Sequence, residues 1–492
     1  MDKKKTTFIS IDDIIKNNDN LLEQINNDNS LLSREKSSLI LKELINKINP
    51  VDFRNYTKII DENKSLQKKH YLVSVIEILL KIASDNNYNI CRKDEMVFLY
   101  NTEFWENIEH NEFKDFLGKV ALKMGVQKFD AKLHSFKDEL YKQFLSDAGF
   151  SKLNTNINKT LINLKNGTFE ISLKHQKLRP FKQSDFMTYQ LPFSYDKKAT
   201  APKFEKYLTT VLPQKELQSV LAEYLGYIFI KSSSLKLEKV LLLYGTGANG
   251  KSVLFEIISA LLGSENTTNF SLQSLTDEKG YQRAMIANKL LNYASEINGK
   301  LEASMFKKLI SGEPVEARLP YGNPQTITDY AKFIFNTNEL PKEVENTNAF
   351  FRRFLILPFK VTIPEKEQDA ELSKKIISSE LSGIFNWILE GLNRLLINKK
   401  FTQSDLIKQE VDNYKKESDS TLLFLEEENY KASNENYTTL KEIYTIYKQF
   451  CSECNFRPLS RKNFTKRLEE NGFYKERKSQ GTVFYIEKKF NQ

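Results

Sequence analysis

The chain has 492 residues, 40% of them hydrophobic, and a formal net charge of +9, which leaves room for two to four domains, each with a core of its own. No run approaches the ~18 uninterrupted apolar residues of a membrane span, and the opening MDKKKTTFISIDDIIKNNDN has no apolar signal core. Membrane insertion and secretion are therefore not expected, a cytoplasmic location is, and three cysteines exclude a disulfide framework.

Residues 1–70 are rich in Asn, Lys, Asp and Glu, with helical apolar spacing as in LLEQINNDNSLLSREKSSLILKELINKI. They read as a polar helical segment. Residues 71–200 change to aromatic-punctuated text and predict a small α+β domain. EMVFLYNTEFWENI alternates as a hairpin around Asn101-Thr102, NEFKDFLGKVALKMGV is helix-like, and LINLKNGTFEISL is a second hairpin turning at Asn166-Gly167. YDKKATAPKF carries linker signals, so a boundary is expected near residue 200. Helices from Phe204 to about Ile230 then lead into the next domain, expected over residues 201–412.

In VLLLYGTGANGKSVLF, a buried strand from Val240 to Leu243 is followed by glycines and then by the apolar spacing of a helix. Glycines let backbone N–H groups converge on one point, and the helix N-terminus adds partial positive charge. The string Gly245, Thr246, Gly247, Ala248, Asn249, Gly250, Lys251, Ser252, with Val253 behind it, fits the Walker A loop G-x-x-x-x-G-K-[ST]. In that reading the loop amides hold the phosphates of ATP, Lys251 reaches the β and γ oxygens, and the Ser252 hydroxyl coordinates Mg²⁺.

Such a loop needs a carboxylate to organise the metal and polarise water. Glu296 ends the short strand LLNYASE and is the candidate for both tasks, against the alternative of a solvent-facing strand-end glutamate. Asn338 closes the apolar strand KFIFNTN, where an amide can hydrogen-bond the γ-phosphate and the lytic water; a turn-forming asparagine is the alternative. Arg352 and Arg353 are adjacent in FFRRFLILPF and cannot both point the same way from one extended segment. One of them is expected to project into a neighbouring subunit's nucleotide site, and a structural ion pair is the alternative. Strands separated by helices predict a parallel sheet covered by helices. Helices continue from Pro364 to about Lys415, and NYKKESDS reads as a hinge.

Residues 421–492 predict two helices followed by a strand, a turn at Gln480-Gly481 and another strand, the order of a winged helix. Arg461, Lys462, Lys466 and Arg467 on the second helix, with Lys475, Arg477 and Lys478 on the wing, form a basic set suited to duplex phosphates. A protein-docking winged helix is the alternative. The Cys451-Ser-Glu-Cys454 pair lacks the further ligands of a zinc site and reads as two reduced helix cysteines.

The strings LLLYGTGANGKSVLFEII, LLNYASEI, FKKLISGEPVEARLPYGNPQTI, FIFNTNELP and FFRRFLILPF, in this order, resemble the motifs of superfamily 3 helicases. They are most similar to the phage, plasmid and poxvirus primase-helicase group, and LINLKNGTFEI through KATAPKF resembles the domain that precedes the motor there. The resemblance spans roughly residues 75 to 360. It implies an AAA+-like motor within a multidomain α/β chain, and a homo-oligomeric ring, expected as a hexamer. Such a ring pulls single-stranded or forked DNA through its centre with 3′-to-5′ polarity and cooperates with a separate primase or replication initiator. A hairpin within about Val315 to Thr328 would grip DNA, with Arg318, Tyr321 and Asn323 as the contacts, although the hairpin-tip lysine of the group is not evident in PYGNPQ. The function expected is an ATP-dependent replicative DNA helicase. A bifunctional primase-helicase and a non-translocating P-loop scaffold at an origin are the alternatives.

Overall fold

A computed structural model of the chain describes residues 36–488, apart from 60, 62, 94–95, 150–158, 174, 296, 298–300, 320–323, 342–343 and 455. Its first unit packs the helices 36–47, Lys68–Asp85, His110–Met124 and His134–Asp147 around an antiparallel sheet of Asn89–Lys93, Met96–Tyr100 and Trp105–Ile108. Ile40, Leu44 and Ile48 share one core with Leu79, Phe113, Leu117, Leu140 and Phe144. The described part of the polar N-terminal segment is thus built into the α+β unit, because its apolar residues keep helical spacing.

A second antiparallel sheet follows, of Thr160–Leu164, Gly167–Ile171 and Gln176–Arg179. Its first hairpin pairs Leu164 with Gly167, so the turn is Lys165-Asn166, one residue earlier than expected. Gly167 begins the strand at φ 145°, and a Cβ there would lie 2.5 Å from the Arg179 carbonyl oxygen. The hairpin therefore closes over a residue without a side chain.

The central sheet contains β1 (Val240–Tyr244), β2 (Thr267–Thr268), β3 (Leu291–Ala294), β4 (Lys332–Thr337) and β5 (Phe354–Pro358), in the order β5-β1-β4-β3-β2. Every pairing is parallel, in line with the α/β expectation. Both faces are covered, which is why β1 reads as a continuous apolar run. Leu241 and Leu243 face one core, while Val240 and Leu242 face another. The first is roofed by α1 (Pro202–Val211), α2 (Lys215–Tyr227), α3 (Lys251–Leu262) and α5 (Leu372–Asn398); the second includes Phe306 and Leu309 of α4 (Ala303–Ser311). The first core also takes in Ile162, Phe169, Leu191 and Phe193, so it runs through residue 200, where a boundary was expected from composition.

After α5 come α6 (Asp405–Glu417) and α7 (Ser420–Glu427). The stretch expected as a hinge is helical except at Ser418-Asp419 and is anchored at Tyr414, which is 2% exposed. The Tyr414 hydroxyl donates to the Pro341 carbonyl at 3.0 Å, and its ring packs on Phe351 and Phe354. A polar sequence hid one well-placed aromatic.

The last unit pairs α8 (Leu440–Glu453) with α9 (Arg461–Glu470) against a sheet of β6 (Thr438–Thr439), β7 (Lys475–Lys478) and β8 (Gly481–Phe484), in the order β6-β8-β7. Tyr447 and Phe464 stack at 4.2 Å inside it. The β7–β8 turn is Ser479-Gln480, again one residue before the expected position, since Lys478 pairs with Gly481. Among the described residues no helix is long and apolar enough to cross a membrane.

Candidate nucleotide site

The loop after β1 sits where three strand ends meet. Thr337 of β4 is level with Tyr244 of β1, and the Gly245 amide donates to the Thr337 carbonyl at 3.2 Å. Gly247 (φ 117°), Ala248 (φ 47°) and Gly250 (φ 83°) all have left-handed backbones, the conformation that turns successive N–H groups inward into an anion-binding nest. A Cβ on Gly245 would fall 2.4 Å from the Phe359 carbonyl oxygen, and one on Gly250 would fall 2.7 Å from Val211 Cγ1. The loop is therefore pressed between the segment after β5 and helix α1. The Tyr207 hydroxyl donates to the Gly250 carbonyl at 2.8 Å, Ile363 N–H to the Ala248 carbonyl at 2.8 Å, and the Asn249 amide to the Phe359 carbonyl at 3.2 Å.

Lys251 opens α3 and turns its ammonium back over the loop. It donates to the Gly245 carbonyl at 2.6 Å, to Asn249 Oδ1 at 3.1 Å and to Asn338 Oδ1 at 3.2 Å. Burial lowers its pKa, and its partners within the described residues are neutral oxygens. A buried cation held by neutral acceptors, over a nest of amides at a helix N-terminus, is a donor set suited to phosphate oxygens. Ser252 is exposed beside it in the first helical turn, where its hydroxyl is free to meet a metal ion attached to those phosphates. The residues present therefore fit a nucleotide with Mg²⁺.

The contact between Asn338 and Lys251 brings together two residues selected for separate reasons. β3 ends at Ala294, with Ser295 exposed at the same sheet edge; Glu296 lies outside the described residues, as do Tyr321 and Asn323. Arg318 is described at the foot of the hairpin Val315–Ala317 and Gln325–Ile327, with its guanidinium 5.4 Å from the Tyr281 ring.

The two adjacent arginines differ in burial but converge on one carboxylate oxygen of Glu238, Arg352 at 2.5 Å and Arg353 at 3.6 Å. Arg352 caps the short helix Asn348–Phe351 in a helical conformation, so they do not leave one extended segment in opposite directions as expected. Arg353 is 7% exposed and donates to Ser311 Oγ at 3.0 Å and to the Ala349 carbonyl. The Arg352 side chain is 58% exposed and meets Glu238 at 2.5 Å. Phe354 is level with Val240 and Pro358 with Tyr244, so Arg352 precedes β5 at the end of the sheet opposite the loop. The strand rise from Val240 to Tyr244 alone is about 13 Å, beyond the reach of an arginine side chain to the loop of its own subunit.

The C-terminal basic residues also divide. Arg461, Lys462 and Arg477 are exposed. Arg467 instead turns to Asp419, the cap of α7, at 3.0 Å and to the Asn346 carbonyl of the central domain at 3.3 Å, and so leaves the expected basic face. Lys475 is paired with Glu469 at 2.5 Å, Lys466 lies 3.5 Å from Glu470, and Lys478 covers the Tyr437 ring at 3.9 Å.

Tyr207, Phe359 and Ile363, which brace the loop, were not legible in the sequence, because buttressing residues look like any other core. Glu238 likewise gave no signal, being one charge among several in KLEK.

Three family models match separate stretches of the chain. A D5 N terminal like model covers residues 77–213, a family of unknown function (DUF5906) covers 243–353, and a poxvirus D5 protein-like model covers 416–491. The second runs from the end of β1 to Arg353 and so contains the loop, Asn338 and both arginines. Similar solved structures include the A-form apo C-terminal region of NrS-1, 12% identical, covering 85% of this chain and 99% of that one at a TM-score of 0.46. Another apo structure of that region, residues 305–718, is 11% identical with 85% and 99% covered and a TM-score of 0.44. Scores this low carry no functional weight.

Proposed function

The chain belongs to the phage- and poxvirus-type primase-helicase family, and on that premise we propose that it is an ATP-dependent replicative DNA helicase working as a homo-oligomeric ring, expected as a hexamer. The observation that carries this reading is the contact of Lys251 with Asn338 over the loop. It joins the phosphate-binding cation to the tip of a neighbouring strand, where an amide can respond to the presence or loss of the terminal phosphate.

In this reading ATP and Mg²⁺ supply the phosphoryl chemistry. The amides of Gly247 to Gly250 and the Lys251 ammonium hold the phosphates, Ser252 takes the metal, and Glu296 takes the attacking water. Arg352, at the end of the sheet opposite its own loop, has the exposure needed to complete the site of the next subunit. Arg353 serves its own subunit as a structural residue. Hydrolysis then depends on assembly, because charge developing in the transition state is offset by a guanidinium from a neighbour. Arg318, Tyr321 and Asn323 are proposed to contact single-stranded DNA. The C-terminal unit is proposed to be a winged helix that holds duplex through Arg461, Lys462 and Arg477.

The test is unwinding of forked DNA by the purified chain with ATP, together with imaging of rings. Lys251→Ala is expected to abolish hydrolysis and unwinding while rings still form. Native protein that hydrolyses ATP but never unwinds would favour the scaffold. A chain that also primes fits the family equally well, and template-dependent primer synthesis by the purified protein would identify it.

A further inference from the structure

Glu238 lies outside the loop, the strand tips and the basic surfaces, yet it is the group on which the exposed arginine rests. Its carboxylate meets Arg352 at 2.5 Å and Arg353 at 3.6 Å, with Lys236 also at 3.6 Å. Both arginines reach the same carboxylate oxygen, one from the surface and one from a buried position. Arg353 is fixed by Ser311 and the Ala349 carbonyl, so it presents the carboxylate with an immobile partner. Arg352 has its side chain largely in water and takes its direction from Glu238.

The backbone around Glu238 is held on both sides. Leu237 N–H donates to the buried Tyr227 hydroxyl at 3.3 Å, and Val240 N–H donates to the Arg353 carbonyl at 2.9 Å. The Lys239 ammonium donates to the Arg352 carbonyl. Glu238 itself has φ 54°, the left-handed region that a residue with a side chain enters at a cost. Burial disfavours its charge, but Arg352 and Arg353 outweigh that effect and keep the carboxyl below its ordinary pKa. An ion pair as exposed as that with Arg352 adds little to stability; the stabilising partner of Glu238 is the buried Arg353, and the contact with Arg352 calls for another reason. What the arrangement does achieve is restraint: a long, flexible side chain is held against Glu238 at the end of the sheet opposite its own nucleotide loop.

We propose that Glu238 is a positioning residue for hydrolysis in the neighbouring subunit, aiming Arg352 into that subunit's site from a base fixed by Arg353. This inference rests on the trans role of Arg352 given above.

Glu238→Gln keeps the shape and removes the charge, and it is expected to lower kcat roughly tenfold or more with KM for ATP little changed, because misplacing a transition-state group acts on turnover. The deciding experiment mixes variants within rings. Lys251→Ala has a dead loop and an intact arginine, whereas Arg352→Ala has the reverse, so a mixture should regain activity that neither has alone. Glu238→Gln mixed with Lys251→Ala should regain activity in the same way. If the Arg352→Ala mixture is rescued and the Glu238→Gln mixture is not, Glu238 acts on its own subunit and the inference is overturned while the trans reading stands. If neither mixture is rescued, the trans reading itself fails and the inference falls with it. Should Glu238→Gln not fold, Glu238→Asp, which keeps the charge and withdraws it by one methylene, enters the same mixtures with the same outcomes.

Discussion

Two adjacent arginines offer a sharp separation of stability from turnover. Replacing Arg353 with alanine removes a guanidinium whose side chain is 8% exposed, leaves Ser311 Oγ and the Ala349 carbonyl without their donor, and takes one cation from Glu238. Removing one partner of a buried pair costs about 3–5 kcal/mol. Glu238 keeps Arg352 and is itself 20% exposed, so the loss should lie toward the lower end, about 3 kcal/mol. Arg352→Ala removes a side chain that is 58% exposed, and exposed pairs contribute about 0–1 kcal/mol. Urea and thermal denaturation of the two variants, with ATP turnover measured across protein concentration, provides the assay. Arg353→Ala is expected to lower the unfolding midpoint clearly. Arg352→Ala should melt close to the native protein, yet lose the rise of turnover with assembly. Equal destabilisation by the two changes, or a turnover unaffected by Arg352→Ala, would refute the division of roles.

Burial lowers the pKa of Lys332 to about 8; because the folded value lies below the unfolded one, the penalty on its charge is fully present below pH 8 and is relieved as pH rises toward the ordinary lysine range. Stability of the native protein should therefore gain on that of Lys332→Met across this window, as read by paired denaturation curves. Glu170 accepts from Lys159, His175 and Arg179, and its pKa is lowered to about 2. Its contribution is complete above the ordinary glutamate range and is lost as pH falls toward 2, so Glu170→Gln should destabilise at neutral pH, with the difference fading in acid titrations. Replacing Arg461 and Lys462 together with alanine should weaken duplex binding and reduce the salt slope by about 2, whereas Arg467→Ala, which loosens the Asp419 and Asn346 contacts, should leave that slope nearly unchanged.

What the sequence disclosed, and what it concealed, follows from the range of the interactions. The loop was legible because a strand, three glycines and a lysine are contiguous, and Asn338 was legible because strand ends in a parallel sheet converge on one edge. The expectation that the two adjacent arginines point apart assumed an extended segment, whereas Arg352 caps a helical turn and both side chains reach Glu238. Which one is buried depended on Ser311 and Glu238, both remote in sequence. The two hairpins were located to within one residue, since glycine marks the place but cross-strand pairing sets the register. The stretch read as a hinge is helical except at Ser418-Asp419, and its anchoring was hidden because a polar run says nothing of what one aromatic within it will touch. Arg467 was grouped with its basic neighbours because charge is visible in a sequence while the direction of a side chain is not.

The core that passes through residue 200 has a practical meaning for dissection of the chain. Because Tyr207 and Val211 press on Gly250, and the helix bearing them shares its interior with the hairpin begun at Thr160, a fragment cut at the first strand of the central sheet would lack the wall against which its phosphate cradle is moulded. The smallest autonomous ATP-handling piece should start near residue 159, well upstream of the phosphate-binding loop.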